Sequence, residues 1–422
     1  MSVPLEKLYH YLNDLIPQDI VIYRWYPHGS KKIQDLKPLL PRPRSENFIK
    51  PVIIANDQEP LNYDFYSRNV IGEHISGNLF SRLGIVLSHQ DLDKISSMNL
   101  NACCSSIYKP ILLHSEVNSR DLERYRSLGN LDVYYWCHAL IARDWYRYAS
   151  VDPLLKKSSD HYEKTFLLYG RSWTGSREYR IKITENLIDT GLISDTLTSF
   201  APVDSGVHYR DYHWSSKMYA PTRHDLEKYF DLNLANSNSS ADYVAEDYNR
   251  CGIEIVSETI FDSTSIHLTE KTLRPIACGK PFILFAAPGA LEYLHRYGFR
   301  TFDGLINEYY DTVADSQDRF QEIFREITRL SNLDTQQKKN FYRKVREISE
   351  FNQQHFFSTQ FSDLVINEYR SNMIRAVDRT LSMSPDFSEF RRIKKYLDAP
   401  GYNRGLVKDN ELLNIFNNLG SN

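Results

Sequence analysis

The sequence predicts an α/β fold with mainly parallel sheets, and three observations carry that prediction. Short apolar runs rich in β-branched and aromatic residues alternate along the chain with stretches of helical periodicity. The 422 residues, at roughly 100 to 200 per domain, make two or three domains with ordinary cores. A polar stretch from Ser150 to His161, containing Pro153, Lys156, Lys157 and Ser158, suits a crossing between two such domains.

The strands are expected at Ile20 to Tyr23, Val52 to Ala55, Ile85 to Ser88, Ile111 to His114, Val133 to Trp136, Phe166 to Tyr169, Ile253 to Ser257 and Phe282 to Phe285. Asp121 to Leu128 reads as a helix capped by Ser119. Arg177 to Asp189 reads as another, because Tyr179, Ile183 and Leu187 recur every four residues along one face. Asn233 to Ser240 has the composition of a loop. Phe320, Ile323, Ile327 and Leu330, then Phe341, Val345 and Ile348, mark two amphipathic helices. Beyond about Ser382 the chain is polar and weakly patterned.

Composition excludes several classes. An apolar fraction of 41% and only 17 Gly and 17 Pro argue against disorder and collagen-like repeats. The most apolar stretch, Pro281 to Ala287, is far shorter than the roughly 20 residues of a membrane span. Five Cys without a C-x-x-C give no zinc or disulfide framework, and the N-terminus has no secretory pattern, so a cytoplasmic protein with free thiols is expected. A net charge of −3 gives no global attraction to polyanions. G-x-G-x-x-G, H-E-x-x-H and G-x-S-x-G are absent, and Gly279-Lys280 is no P-loop, since Pro281 follows it and the upstream Gly is missing.

Candidate chemistry gathers at strand ends. After the Ile253 strand come Glu258 and then Thr269-Glu270-Lys271-Thr272-Leu273-Arg274-Pro275, the start of a helix closed by Gly279. Amide groups at such a start attract phosphate; Thr269 is a suitable cap, Lys271 and Arg274 place cations at the mouth, and Glu270 suits ribose hydroxyls. The alternative is a solvated first turn with Gly279 as an ordinary cap. After the Phe166 strand, Gly170-Arg171-Ser172-Trp173-Thr174-Gly175-Ser176-Arg177 joins two Gly to Arg171 and Arg177, a combination suited to a pyrophosphate. Helical spacing sends at least one of Arg177 and Arg180 into water. In the N-terminal half Asp57, Glu59 and His114 stand at strand ends, where a carboxylate or imidazole could deprotonate an acceptor hydroxyl. Asp91-Leu92-Asp93 reads as an acidic helix start rather than a metal-nucleotide motif.

Thr269-Glu270-Lys271, preceded by Ser257-Glu258-Thr259 and followed by Gly279-Lys280-Pro281-Phe282-Ile283, resembles the donor-binding segment of fucosyltransferase-like GT-B glycosyltransferases. Together with Asp57-Gln58-Glu59-Pro60-Leu61 and the run from Arg171 to Arg180, it is similar to a set of bacteriophage-encoded proteins taken to be glycosyltransferases, over roughly residues 50 to 350. The resemblance implies a GT-B-like fold, two Rossmann-type domains facing a central cleft, with C-terminal helices. Residues 1–155 would be the acceptor side, 156–350 the nucleotide-sugar side and 351–422 an extension of unassigned role. It implies transfer of a sugar from a nucleotide diphosphate-sugar to a hydroxyl, with inversion, needing no metal or other cofactor. Arg171, Arg177 and Lys271 would meet the pyrophosphate, Thr269 would open the binding helix, Glu270 would meet the ribose, and Glu258 the sugar or ribose. Asp57 or Glu59, ahead of His114, would serve as base. Glu258-Thr259 departs from the family's usual Glu-Asn pair. A phage-type relative could transfer to hydroxymethylated bases of its own DNA in the host cytoplasm, with Arg391, Arg392, Lys394 and Lys395 meeting phosphates. The alternative for this basic run is a solvated helix face, and the net charge of −3 favours polysaccharide or a small molecule over DNA. The alternatives are transfer to cell-envelope polysaccharide and a non-catalytic α/β binding or virion-associated protein. The sequence names neither the sugar nor the oligomeric state.

Overall fold

The structure, a computed structural model, describes residues 21–24, 52–55, 111–120, 132–156, 159–170, 172–230, 243–262 and 264–383. The expected Ile85 strand, the Asp121 helix, the Asn233 loop and the basic run at 391–395 lie outside these residues. The chain divides into two compact units, one of them Ala142–Phe361 and the other drawn from both sides of it.

In the flanking unit, strands β1 (Val21–Arg24), β2 (Val52–Ala55), β3 (Ile111–His114) and β4 (Asp132–Tyr135) form a parallel sheet in the order of the sequence. Register pairs Val21 with Val52, Ile53 with Ile111, and Ile111 with Asp132. The described strands of this sheet contain no reversal of order, the feature that places a ligand crevice in a Rossmann fold.

The larger unit is a Rossmann-like layer structure. Helix α1 (Ala139–Trp145) leads into it, followed by β5 (Lys164–Tyr169), α2 (Tyr179–Asp189), β6 (Thr196–Ser199), a hairpin of β7 (Val203–Asp204) and β8 (Val207–His208), α3 (Ala245–Arg250), β9 (Cys251–Ser257), α4 (Glu270–Ala277), β10 (Phe282–Phe285) and α5 (Ala290–Arg296). The parallel sheet has the order β10-β9-β5-β6. All seven residues of β9 are buried, as expected of a central strand covered on both faces. Two long helices close the layer. Asp315 caps α6 (Ser316–Ser331), and Asp334 with Gln337 forms a capping box on α7 (Thr335–Phe357). Both match the predicted amphipathic runs, with Phe320, Ile323, Ile327, Leu330, Phe341 and Val345 buried.

Helix α8 (Thr359–Met383) belongs from Ser362 onward to the flanking unit, within which its Asn372 donates to the Tyr135 carbonyl. The segment just after Ala142, which the sequence reading assigned to the first half, packs with the larger unit. Its Tyr146 is buried and donates to the Glu270 carbonyl at 2.9 Å, and Arg143 holds the carbonyls of Phe356, Phe357 and Ser358 at the end of α7. No helix among the described residues is long and apolar enough to cross a membrane.

Candidate functional site

Strand order reverses between β5 and β9: the chain runs outward from β5 to β6 on one side and from β9 to β10 on the other. The carboxyl ends of β5 and β9 therefore flank the switch point, where open α/β sheets place their ligands. Both residue clusters singled out in the second half of the sequence stand there, one after each strand.

The corner after β9 is built around Glu258. Its side chain is 0% exposed and accepts from the Thr269 amide (2.9 Å), the Thr269 hydroxyl (2.8 Å), the Thr272 amide (3.2 Å) and the Thr272 hydroxyl (2.6 Å). A protein carboxylate thus occupies the electropositive start of α4, a favourable placement against the unsatisfied amides and the helix dipole. The expected contact of Glu258 with a sugar does not fit this geometry, because the carboxylate is wholly interior. Thr269 caps α4 as predicted, its hydroxyl accepting from the Lys271 amide at 3.3 Å. Glu270 is buried, and its carboxylate holds the Lys271 ammonium at 2.7 Å. The Lys271 side chain is 16% exposed, so its cation stands at the rim.

Arg274 is not at the mouth. It points into the core, donates to Glu254 on β9 at 2.5 and 3.2 Å, and lies 4.5 Å over the Tyr169 ring. Tyr248 donates to the same Glu254, and burial pushes that carboxyl upward while Arg274 opposes the shift. Pro275 sits inside α4, which nevertheless begins at Glu270. The helix ends at Gly279 with φ of 66°, where the Lys280 amide reaches the Pro275 carbonyl (2.9 Å) and the Gly279 amide reaches Ile276 (3.1 Å). These two bonds form a Schellman motif, which needs the left-handed conformation glycine supplies.

The corner after β5 is strapped by Asp204 from the small hairpin. One of its oxygens accepts from the Ser172 hydroxyl (2.8 Å), the Trp173 amide (2.9 Å), the Thr174 amide (2.8 Å) and the Thr174 hydroxyl (2.8 Å). Burial works to raise this carboxyl, but those hydrogen bonds outweigh it and hold Asp204 below its ordinary range. The Gly175 amide donates to Tyr212. A Cβ at Gly170 would lie 2.7 Å from the Ser199 carbonyl oxygen, so only glycine fits where β5 leaves the sheet. Arg177 is half-buried at the end of a 3-10 turn, Gly175–Arg177, while Arg171 lies outside the described residues.

Arg180 joins the two corners. It is buried, whereas Arg177 is half-buried, and donates to the carbonyls of Ser172 (2.9 Å), Ser257 (2.8 Å) and Glu258 (2.9 Å). Tyr179, also buried, donates to the Glu258 carbonyl. No local signal marks Arg180 or Asp204 in the sequence, because their partners are carbonyls and amides distant along the chain.

The consequence is chemical. The amides of Trp173, Thr174, Gly175, Thr269 and Thr272, which the sequence left open for phosphate, are already bonded within the protein. An anion arriving here would meet side-chain cations, Arg177 and Lys271, rather than a cradle formed by those amides. Among the described residues no group of three His, Cys, Asp or Glu is placed to hold a metal ion.

In the flanking unit, His114 ends β3 and is 2% exposed. Its Nδ1 accepts from the Glu116 amide at 3.3 Å, and its ring packs edge-on against Tyr135. In the neutral ring that bond leaves the proton on Nε2, so action as a base would require His114 to exchange this partner. Asp57 and Glu59 lie outside the described residues. Set against protein-family models, curated proteins and solved structures, the chain matches none.

Proposed function

We propose that the chain is a GT-B-like, nucleotide-sugar-dependent glycosyltransferase whose donor lies over the switch point of the larger unit. The observation that carries this reading is the position of the two clusters, with Arg177 and Lys271 at the carboxyl ends of the adjacent strands between which the strand order reverses. In this reading Lys271, Arg177 and Arg171 neutralise charge on the leaving nucleoside diphosphate. Glu270 holds the Lys271 ammonium, and Glu258 fixes the start of α4, so both act as positioning residues. The acceptor oxygen attacks the anomeric carbon, the bond from that carbon to the diphosphate oxygen breaks, and the acceptor proton passes to a base from the first half, Asp57 or Glu59 ahead of His114. Attack from the opposite face inverts the configuration.

The proposed acceptor is a hydroxymethylated base in phage DNA within the host cytoplasm, with cell-envelope polysaccharide as the competing substrate. Mass spectrometry of hydroxymethylated DNA and of a polysaccharide acceptor, each incubated with a panel of nucleotide-sugars, tests the reading. A mass increase of one sugar on either supports it, and none with any donor refutes it.

One observation favours a second reading, a non-catalytic α/β binding protein: Glu258 and Asp204 already occupy both corners with internal anions. A nucleoside diphosphate at about 100 times its dissociation constant stabilises a binder by about 2.7 kcal/mol. No shift in melting temperature with any nucleotide would favour the second reading.

A further inference from the structure

The other end of the same sheet carries a pocket of about 230 Å³, far above the roughly 10–15 Å³ that admits one water. Its wall includes Gly252 at the start of β9, Lys280 and Pro281 before β10, Tyr162 before β5, and Tyr342 and Arg346 from α7. It opens at the amino ends of the strands, at the Gly279–Lys280 end of α4, and Glu258, Thr269, Lys271 and Asp204 are not in its wall.

Lys280 is the anomaly. The residue is 6% exposed, yet its ammonium makes no hydrogen bond or ion pair among the described residues, and its charged neighbour Arg346 is itself a cation. The ring of Tyr162, 5.7 Å from the ammonium, is its recorded partner. Two nearby thiols, Cys278 and Cys251, would help only if ionised, and burial pushes both upward, Cys251 to about 12. They are therefore neutral at physiological pH. Burial in turn brings Lys280 down to about 8, so the group remains mainly protonated at pH 7 and lacks a counter-charge.

The wall is otherwise built for a small anion. Lys156 stands exposed at the rim, and of the three cations Lys156, Lys280 and Arg346, the last is paired with Asp160, while Glu350 is the carboxylate in the wall. Arg346 spends Nη2 on the Ser159 carbonyl and Asp160, leaving Nε and Nη1 without a partner among the described residues. A Cβ at Gly252 would lie 2.5 Å from the Tyr342 ring, so glycine there lets that ring form the wall.

We infer that this pocket binds a small anion of the phosphate class, free or carried by a small metabolite, with Lys280 as its buried counter-charge and Lys156 and Arg346 at its mouth. With Asp160 and Glu350 both counted, the cations still exceed the carboxylates by one, which favours an anion, and the volume takes a phosphoryl group with a small substituent. The site is independent of the transferase reading.

Isothermal titration of the full chain with inorganic phosphate and with a hexose monophosphate tests it. At least one probe should bind saturably, at least tenfold more weakly in Lys280→Met and several-fold more weakly in the rim variant Lys156→Ala, which alters no buried contact. Lys271→Ala, at the opposite end of the sheet, should bind as the unaltered protein does. Tighter binding of the hexose monophosphate would assign a phosphorylated metabolite, whereas equal or tighter binding of phosphate would assign the ion. No saturable binding by either probe overturns the inference, as does binding that Lys280→Met retains. Loss in Lys271→Ala with retention in Lys280→Met would place the anion at the carboxyl ends instead.

Discussion

Replacing Lys280 by Met should stabilise the protein at neutral pH, because the substitution keeps the buried stem and removes an unanswered charge. The group falls from an ordinary 10.5 to about 8 in the fold, a difference worth at most about 3 kcal/mol. The sign follows from proton linkage. The unfolded chain binds the proton more tightly than the folded one, so the penalty is complete below about pH 8, shrinks between about 8 and 10.5, and vanishes above that range. The groups acting on the ammonium are the thiols of Cys278 and Cys251, which burial pushes upward and keeps neutral over that range, and the Arg346 guanidinium. Urea unfolding at pH 7 should therefore show the variant more stable by about 1–3 kcal/mol, with the gain shrinking toward pH 10.5. A variant no more stable at pH 7, or a gain of equal size at both pH values, would refute the claim that Lys280 is buried without a counter-charge. Saturating phosphate should narrow the gap at pH 7 by stabilising only the unaltered protein.

Lys271→Ala should lower sugar transfer by at least about a hundredfold, as read by product mass spectrometry, and should also lower the urea midpoint, because it strips the buried Glu270 carboxylate of its ammonium. Glu258→Ala should destabilise the larger unit by about 3 kcal/mol or more, since it strips partners from two buried amides and two hydroxyls; an unchanged midpoint would show that the carboxylate is not a structural cap. Glu308, raised by burial to about 7, holds its proton more tightly in the fold than in the unfolded chain. Its contribution is therefore full below about pH 4.5 and lost as pH rises through about 7, and Glu308→Gln should flatten the stability profile over that interval. Gly252→Ala should cost about 1–3 kcal/mol in unfolding measurements through the clash with Tyr342.

Apolar runs and helical stripes were the most legible signals in the sequence. Val52–Ala55, Ile111–His114 and Phe282–Phe285 coincide with their apolar runs, and α6 and α7 with their stripes. Strand β6 escaped because Thr-Leu-Thr-Ser is an edge strand with only Thr196 buried, so it lacks an apolar run to read. Lys164 and Thr165 at the start of β5, and Cys251 and Gly252 at the start of β9, escaped because each strand begins before its branched residues do. Thr269 as a cap and Gly279 as a terminator were legible, since both act within a few residues. Arg274 and Arg180 were not, because their partners, Glu254 on one side and three carbonyls on the other, are brought near only by the sheet. The amino-end pocket left no trace for the same reason: Tyr162, Gly252, Lys280 and Arg346 share a wall without sharing a segment.

The distribution of internal anions bears on what each end of the sheet asks of a ligand. Glu258 and Asp204 fill the two corners, Glu178 takes the amides of Ser215 and Ser216, and Glu185 those of Thr222 and Arg223. Each carboxylate replaces water on backbone donors, which stiffens the loops around the switch point and removes the amide-based attraction that such corners ordinarily exert. A diphosphate binding there must gain its affinity from long side chains, whose ordering costs about 0.5–1.5 kcal/mol each. At the amino ends the balance is opposite, since the Lys280 residue is largely buried without a counter-charge and an incoming anion removes a penalty the fold now carries. Small phosphates should therefore prefer the amino-end pocket, while a nucleotide-sugar would, in the proposed reading, bind at the carboxyl ends. If both sites function, phosphate and nucleotide-sugar should bind together, and saturating phosphate should leave the Kd for the nucleotide-sugar unchanged. Competition between them would mean that one of the two sites is wrongly placed.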